Sequence, residues 1–293
     1  MDLQAYLSVK TGLVNKGLEL LLHSAREYPQ NLHKAMHYSL FAGGKRIRPV
    51  LVLASAEAVG GAAEEALNTA CAFECVHTYS LIHDDLPAID NDDMRRGAPT
   101  CHKAFGEATA ILAGDALLTV AFELIARTKT SNPSRVIEVI KELSKASGSV
   151  GMIGGQMVDI ESEGQDVSFP VLEYIHIHKT GELMLAAVRC GAIMGGAGGS
   201  ELEALSKYGK AIGLAFQIAD DILDVEGSAS EMGKNTGGDE KKGKATYPSL
   251  IGLDESKKRA SDLVGMALNA LEGFDAKAES LRAIARYIAE RRK

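Results

Sequence analysis

An all-α fold is predicted for this 293-residue chain from three observations. Between its Gly and Pro breakers, almost every segment repeats apolar residues at helical spacing. Convincing strand alternation is absent. No linker-like stretch and no internal repeat divides the sequence, so 1–293 reads as one domain.

The first helix is expected from Met1 to about Tyr28, with Leu13, Leu18, Leu20, Leu21 and Leu22 as its apolar positions, and a short second one from Asn31 to Leu40. Gly43 and Gly44 then allow a tight turn, and Pro49 can open the next helix. Lys45, Arg46 and Arg48 surround that turn. A basic turn before a helix N-terminus is a ready anion site, although a solvated basic loop has the same look. Ala63 to Asp85 reads as one long helix, and His77 shares a face with Asp84. Pro87 should end it near Leu86.

Thr100 to about Thr128 is read as one long apolar helix, and Pro133 to Ser147 as an amphipathic one. In GMIGGQMVDI, Gln156 and Asp159 face one way if helical, as packing or supporting polar groups. Pro170 starts a helix that Gly181 should kink beside Lys179 and Thr180, freeing a backbone carbonyl. Ser200 is placed to cap the helix of Asp220, Asp221 and Asp224. From about 226 to 246 the chain turns Gly-rich and charged, which predicts a mobile lid carrying Lys234 and Lys244. Tyr247 to Lys293 gives two or more amphipathic helices and a basic tail.

Composition narrows the function. A net charge of −7, no Trp and 5% aromatic residues argue against nucleic-acid binding. No apolar stretch reads as long and clean enough to span a bilayer, and the N-terminus shows no secretory signal. Cys71, Cys75, Cys101 and Cys190 lack a metal-type pattern, which suggests free thiols in a reducing cytoplasm.

The chemistry concentrates in HDDLPAIDNDDMRRG, His83 to Gly97. Asp84, Asp85, Asp90, Asp92 and Asp93 repel one another unless a cation sits among them. Hard oxygen donors suit Mg²⁺, which takes one or two carboxylates and fills its other positions with water and phosphate. Arg95 and Arg96 offer forks that match phosphate. A solvated acidic turn would look similar, but FQIADDILDV repeats the theme. There Asp220, Asp221 and Asp224 sit among apolar residues and are expected on one helix face.

With GGKRIRP (Gly43 to Pro49), GGQMVDI (Gly154 to Ile160), HKT (His178 to Thr180) and FQIADDILD (Phe216 to Asp224) in the same order, the chain resembles the trans-isoprenyl diphosphate synthases. Among them it is most similar to the bacterial farnesyl diphosphate synthases. The resemblance spans nearly the whole chain. It implies a helix bundle around a deep central cavity, about three Mg²⁺ ions per site, a homodimer, and head-to-tail prenyl transfer from dimethylallyl or geranyl diphosphate to isopentenyl diphosphate. By the same resemblance, Asp84, Asp85, Asp90, Asp220, Asp221 and Asp224 hold metal. Lys45, Arg48, His77 and Arg96 hold isopentenyl diphosphate. Arg95, Lys179, Lys234 and Lys244 face the allylic diphosphate. The Thr180 hydroxyl, the Gln217 amide oxygen and the Lys179 carbonyl stabilise the allylic cation.

Product length should depend on what floors the pocket. Tyr79 lies roughly 7.5 Å below Asp84 along the helix, where an aromatic ring would stop a chain at C15, while Ser80 is small. The expected product is therefore farnesyl diphosphate, with a C20 geranylgeranyl product as the alternative. A class I terpene cyclase is disfavoured, because its second metal motif carries Asn and Ser or Thr with Glu rather than DDILD.

Overall fold

The computed structural model describes residues 1–226 and 244–290. In chain order these form α1 (Leu3–Leu21), α2 (Gln30–Leu40), α3 (Ile47–Ala58), α4 (Ala63–Asp84) and a ribbon of β1 (Met94–Arg95) and β2 (Ala98–Pro99). Then come α5 (Cys101–Phe105), α6 (Glu107–Ala126), α7 (Pro133–Ser147), α8 (Met152–Glu161), α9 (Phe169–Ile175) and a π-helical segment (His176–Gly181). The chain continues through α10 (Glu182–Gly195), α11 (Gly199–Glu226), α12 (Tyr247–Ile251), α13 (Leu253–Ala270) and α14 (Glu279–Glu290).

Burial sorts these helices into centre and shell. A helix that is apolar on every side has no face to offer water and belongs inside. α3 is buried without interruption from Pro49 to Ala56, and α10 buries nearly all of Leu183 to Met194. α10 lies against α3, α11, α7 and α4, and α4 runs beside α6. The amphipathic α7, α13 and α14 close the outside. The result is the all-α bundle that the spacing predicts.

Local physics explains where the boundaries differ. α1 stops at Leu21, short of Tyr28, because His23 to Pro29 offer little to bury; Tyr28 is 91% exposed. The Thr100–Thr128 helix is broken at Gly106, whose φ of +85° ends α5 and starts α6. Ser200 lies inside α11 rather than capping it; the Glu201 carboxylate accepts from the Gly198 N–H at 2.7 Å instead. The β1–β2 ribbon joins Met94 to Pro99 and Arg95 to Ala98, and its two-residue loop, Arg96 and Gly97, has positive φ at both positions. That is the backbone a tight hairpin requires. Contrary to expectation, α6 is long and apolar enough to cross a bilayer by length and composition. Its Ala110, Ala113, Leu117, Ala121 and Leu124 are buried, and it packs along α4 as a core helix.

The kink predicted at Gly181 takes the form of the π-helical segment, a widened turn that is rare outside functional sites. Two neighbours press against it through glycines. A Cβ on Gly155 of α8 would stand 2.2 Å from the Lys179 amide nitrogen, and one on Gly213 of α11 would stand 3.0 Å from the Gly181 Cα. Gly155→Ala should therefore push α8 off the π segment and cost about 1–3 kcal/mol, the usual range for overpacking. Urea unfolding will show the loss as a lower midpoint; an unchanged midpoint would mean that α8 has slack.

Candidate active site

A cavity of about 480 Å³ opens between α3, α4, α6, α8 and the π segment. Arg48, His77, Tyr79, Ser80, Asp84, Gln156, Lys179 and Thr180 line it. A smaller cavity of about 130 Å³ shares Lys179 and Thr180 and extends to Asp159, Gln217, Asp221 and Lys244. Both acidic segments thus border spaces that meet at the π segment.

At the first segment α4 ends on Asp84, and the chain folds back so that the Asp90 N–H donates to the Asp84 carbonyl at 2.8 Å. Burial raises the Asp84 carboxyl above its usual range; Lys179 opposes this and Asp90 adds to it. Lys244 reaches Asp90 at 3.1 Å and Asp159 at 3.4 Å, and Lys179 reaches Asp159 at 2.7 Å. Burial would raise the Asp159 carboxyl, but Lys179 and Lys244 outweigh it and hold the group below its usual value. Asp85 is buried, and the Arg95 Nε lies 2.7 and 2.8 Å from its two oxygens.

The second segment is also less uniform than expected. Successive helical residues rotate by about 100°, so Asp221 turns into the core while Asp220 and Asp224 stay partly exposed. The Asp221 carboxylate lies 2.8 Å from His176 Nε2 and accepts from the Tyr247 N–H at 2.9 Å and Gln217 Nε2 at 3.2 Å. Asp221 is thus held in place from three sides. Gln217 is fixed as a consequence: its amide oxygen accepts from Thr180 Oγ1 at 2.9 Å.

Among the described residues no three acidic, His or Cys side chains converge as a ready metal cage. Mg²⁺ needs no such cage when water and phosphate complete its shell. The oxygen donors present fit it. Asp84 is destabilised as an anion by burial and by Asp90, and Asp90 already attracts a cationic side chain, Lys244.

The basic side is assembled by the turn before α3 and by the hairpin. Gly43 and Gly44 have φ of +92° and +126°, as the turn requires. Arg96 donates to the Gly43 carbonyl and lies flat on Gly44, leaving no room for a Cβ. Arg48 lines the large cavity with a buried Nε that has no hydrogen-bond partner among the described residues. Its charge also feels Asp220, which ties the second acidic segment to this side of the cavity. Lys45 is exposed. Burial first, then Arg48, Arg96, Arg95 and Arg46, hold the His77 imidazole well below its ordinary value. Tyr79 is 5% exposed and lines the cavity wall with its hydroxyl buried, while Ser80 turns its hydroxyl back to the His77 carbonyl at 2.9 Å. Lys234, most of the expected lid and the last three residues lie outside the described residues.

Three participants escaped the sequence reading or were undervalued by it. Asp159 is the hub of two lysines rather than a packing residue. His176, and not His178 of the HKT motif, meets the acidic helix; His178 stacks on Tyr174 at 3.8 Å. Glu74 pairs with Arg46 at 2.6 Å inside the core. Its signal was a lone acid in the apolar run AFECV.

A family model described as Polyprenyl synthetase matches residues 29–285. The chain is 50% identical over 294 residues to Geranylgeranyl pyrophosphate synthase 7, chloroplastic, of Arabidopsis thaliana, covering 99% of this chain and 84% of that one. Among solved structures it is similar to geranylgeranyl pyrophosphate synthetase from Pyrococcus horikoshii, with a TM-score of 0.91, 32% identity and coverage of 99% and 98%. It is likewise similar to an FPP/GFPP synthase from Zymomonas mobilis, with a TM-score of 0.88, 39% identity and coverage of 98% and 99%.

His77 offers a direct check of the electrostatics. A His held neutral in the folded state binds fewer protons than the unfolded chain once the pH drops below its ordinary value of 6.5. Stability should therefore fall with pH below about 6.5, by up to about 1.4 kcal/mol per pH unit from this group. In His77→Gln that part of the slope should vanish from unfolding midpoints measured between about pH 5 and 7. An identical slope in the variant would show that His77 is not held neutral.

Proposed function

The chain belongs to the polyprenyl synthetase family and is a prenyltransferase, and from that premise we propose that it makes geranylgeranyl diphosphate from allylic diphosphates and isopentenyl diphosphate. The observation that carries the proposal is that Asp84 and Arg48 line one cavity and Asp221 a second, and that the two cavities share Lys179 and Thr180 of the π segment. The farnesyl expectation gives way to its C20 alternative for two reasons. The similar plant and archaeal proteins named above are geranylgeranyl synthases. The cavity is also walled by Leu118 of α6 and by Met152 and Ile153 of α8, so Tyr79 is not its sole boundary.

Asp84, Asp90, Asp220 and Asp224 are the residues that would hold Mg²⁺, and Asp85 and Asp221 are their anchors. Bound Mg²⁺ supplies Lewis acidity toward the departing diphosphate. Lys179 and Lys244 leave Asp159 and Asp90 for diphosphate oxygens, so positive charge is already in place where negative charge grows. Arg95 stays on Asp85 and adds its field. Thr180 donates its proton to Gln217, which leaves the hydroxyl lone pairs free to face an allylic cation, and Asp221 fixes that amide. Apolar walls such as Leu118 and Met152 exclude water from the cation. Isopentenyl diphosphate is held by Lys45, Arg48, His77 and Arg96, and its alkene attacks the cation head to tail. The proton lost afterwards goes to the released diphosphate.

A second copy of the chain is part of the proposal. Ile111 and Leu112 of α6, Val150, and Ile153 and Met157 of α8 are exposed apolar side chains, and a partner would cover them. Sedimentation should give a particle of two 31.1 kDa chains, and Leu112→Glu should release monomers; a monomeric parent protein would rule the dimer out.

The central test is incubation with dimethylallyl diphosphate, labelled isopentenyl diphosphate and Mg²⁺, with the products sized. A C20 end product is expected, and a C15 end product would restore the farnesyl reading. In the same assay Asp84→Asn and Asp220→Asn should lose about a hundredfold or more in turnover with unchanged circular dichroism. Near-normal turnover would remove these aspartates from the mechanism.

A further inference from the structure

Arg46 sits between Lys45 and Arg48 but points the opposite way. It is 4% exposed, and its backbone has φ of 50° and ψ of 34°, a left-handed conformation that residues with a Cβ seldom adopt. Its guanidinium ties together four parts of the chain. Nη1 lies 2.6 Å from Glu74 Oε1 and donates to the Gly43 carbonyl at 3.3 Å. Nη2 donates to the Leu40 carbonyl at the end of α2, and Nε donates to Asn15 Oδ1 of α1 at 3.1 Å. Glu74 stands on α4 one turn before His77. Its side chain is 1% exposed, and Oε2 is buried without a hydrogen-bond partner among the described residues. That carboxylate acts electrostatically on Arg48 and Arg96 as well as on Arg46. One inward anion is therefore paired with Arg46 and acts at longer range on Arg48 and Arg96, which belong to the proposed isopentenyl-diphosphate grip, and the Gly43 carbonyl accepts from Arg46 and Arg96 alike.

We propose that the Arg46–Glu74 pair is a positioning device for that grip, a role that rests on the functional reading above. Like-charged guanidiniums left together in a buried corner would spread apart. Glu74 keeps them within reach of a single diphosphate while none is bound, and Arg46 fixes the turn from which Lys45 and Arg48 project. Neither residue touches substrate. The pair is specific to one of the two substrates, because the allylic side is served by different cations, Lys179 and Lys244.

The test separates positioning from plain structural support. Glu74→Gln keeps the shape and removes the charge. It should raise KM for isopentenyl diphosphate, and Kd from calorimetric titration with the same compound, about tenfold or more. KM for the allylic substrate should move less than about twofold. Arg46→Met with Glu74→Leu replaces the pair by apolar groups of similar volume, which buried ion pairs commonly tolerate without loss of stability. This double variant should fold normally and show the same selective loss. Unchanged isopentenyl-diphosphate affinity in either folded variant, or both KM values rising together, would overturn the proposal. If the parent protein itself fails to bind isopentenyl diphosphate, the functional reading is what fails.

Discussion

Charges brought inside a helix bundle must find partners there, because an unpaired buried ion costs several kcal/mol even after relaxation. The whole site follows from that constraint. Asp85 has Arg95, Asp90 has Lys244, Asp159 has Lys179 and Lys244, and Glu74 has Arg46. The pairs divide into two kinds. Arg46–Glu74 is deeply buried and Arg95 covers a buried Asp85, and neither pair lines the two cavities. Lys179, Lys244 and Asp159 do line one of them. The first kind holds the framework still; the second can exchange a carboxylate for a diphosphate oxygen at little electrostatic cost, since one anion replaces another.

Backbone distortion is placed where those exchanges occur. The π-helical turn brings Lys179 to Asp159 and Thr180 to Gln217, two helices apart, and two glycine contacts let both helices close in on it. The left-handed residue at Arg46 works similarly, sending one cation inward between an exposed Lys45 and Arg48 at the cavity. Irregular backbone survives only where its surroundings over-determine it. Here the over-determination comes from side-chain hydrogen bonds at both points.

Much of this was legible from residues alone. The run from His83 to Gly97 and the triplet from Asp220 to Asp224 pointed to the acidic segments that border the two cavities, because so many carboxylates close together repel one another until a cation joins them. The helices bounded by Pro or Gly were found within a few residues. What the sequence hid was direction. Asp220 and Asp221 are neighbours in the chain, but a rotation of about 100° leaves one partly exposed and buries the other against His176. Contacts between distant segments were hidden as well. Lys244 meets Asp90 across 154 residues of chain, and no local pattern records that meeting. Gly106 was passed over because one glycine in an apolar run is commonly tolerated by a helix.

Product length shows the same limit most clearly. Reading upstream of Asp84 gives Tyr79 as the natural stop, and the ring does line the cavity. Yet it packs edge-on against His83 at 5.6 Å, and His83 in turn lies 3.0 Å from the Ile111 carbonyl of α6. Gly114 makes that docking possible, since a Cβ there would stand 2.2 Å from His83 Nε2. Tyr79 is thereby held to the wall through its neighbour. The remaining depth is bounded by Asp115 and Leu118 of α6 and by Met152 and Ile153 of α8, elements remote from the acidic run in sequence. The space beyond Tyr79 thus depends on how α6 and α8 stand against α4, and a residue five places before an aspartate is only one part of its wall.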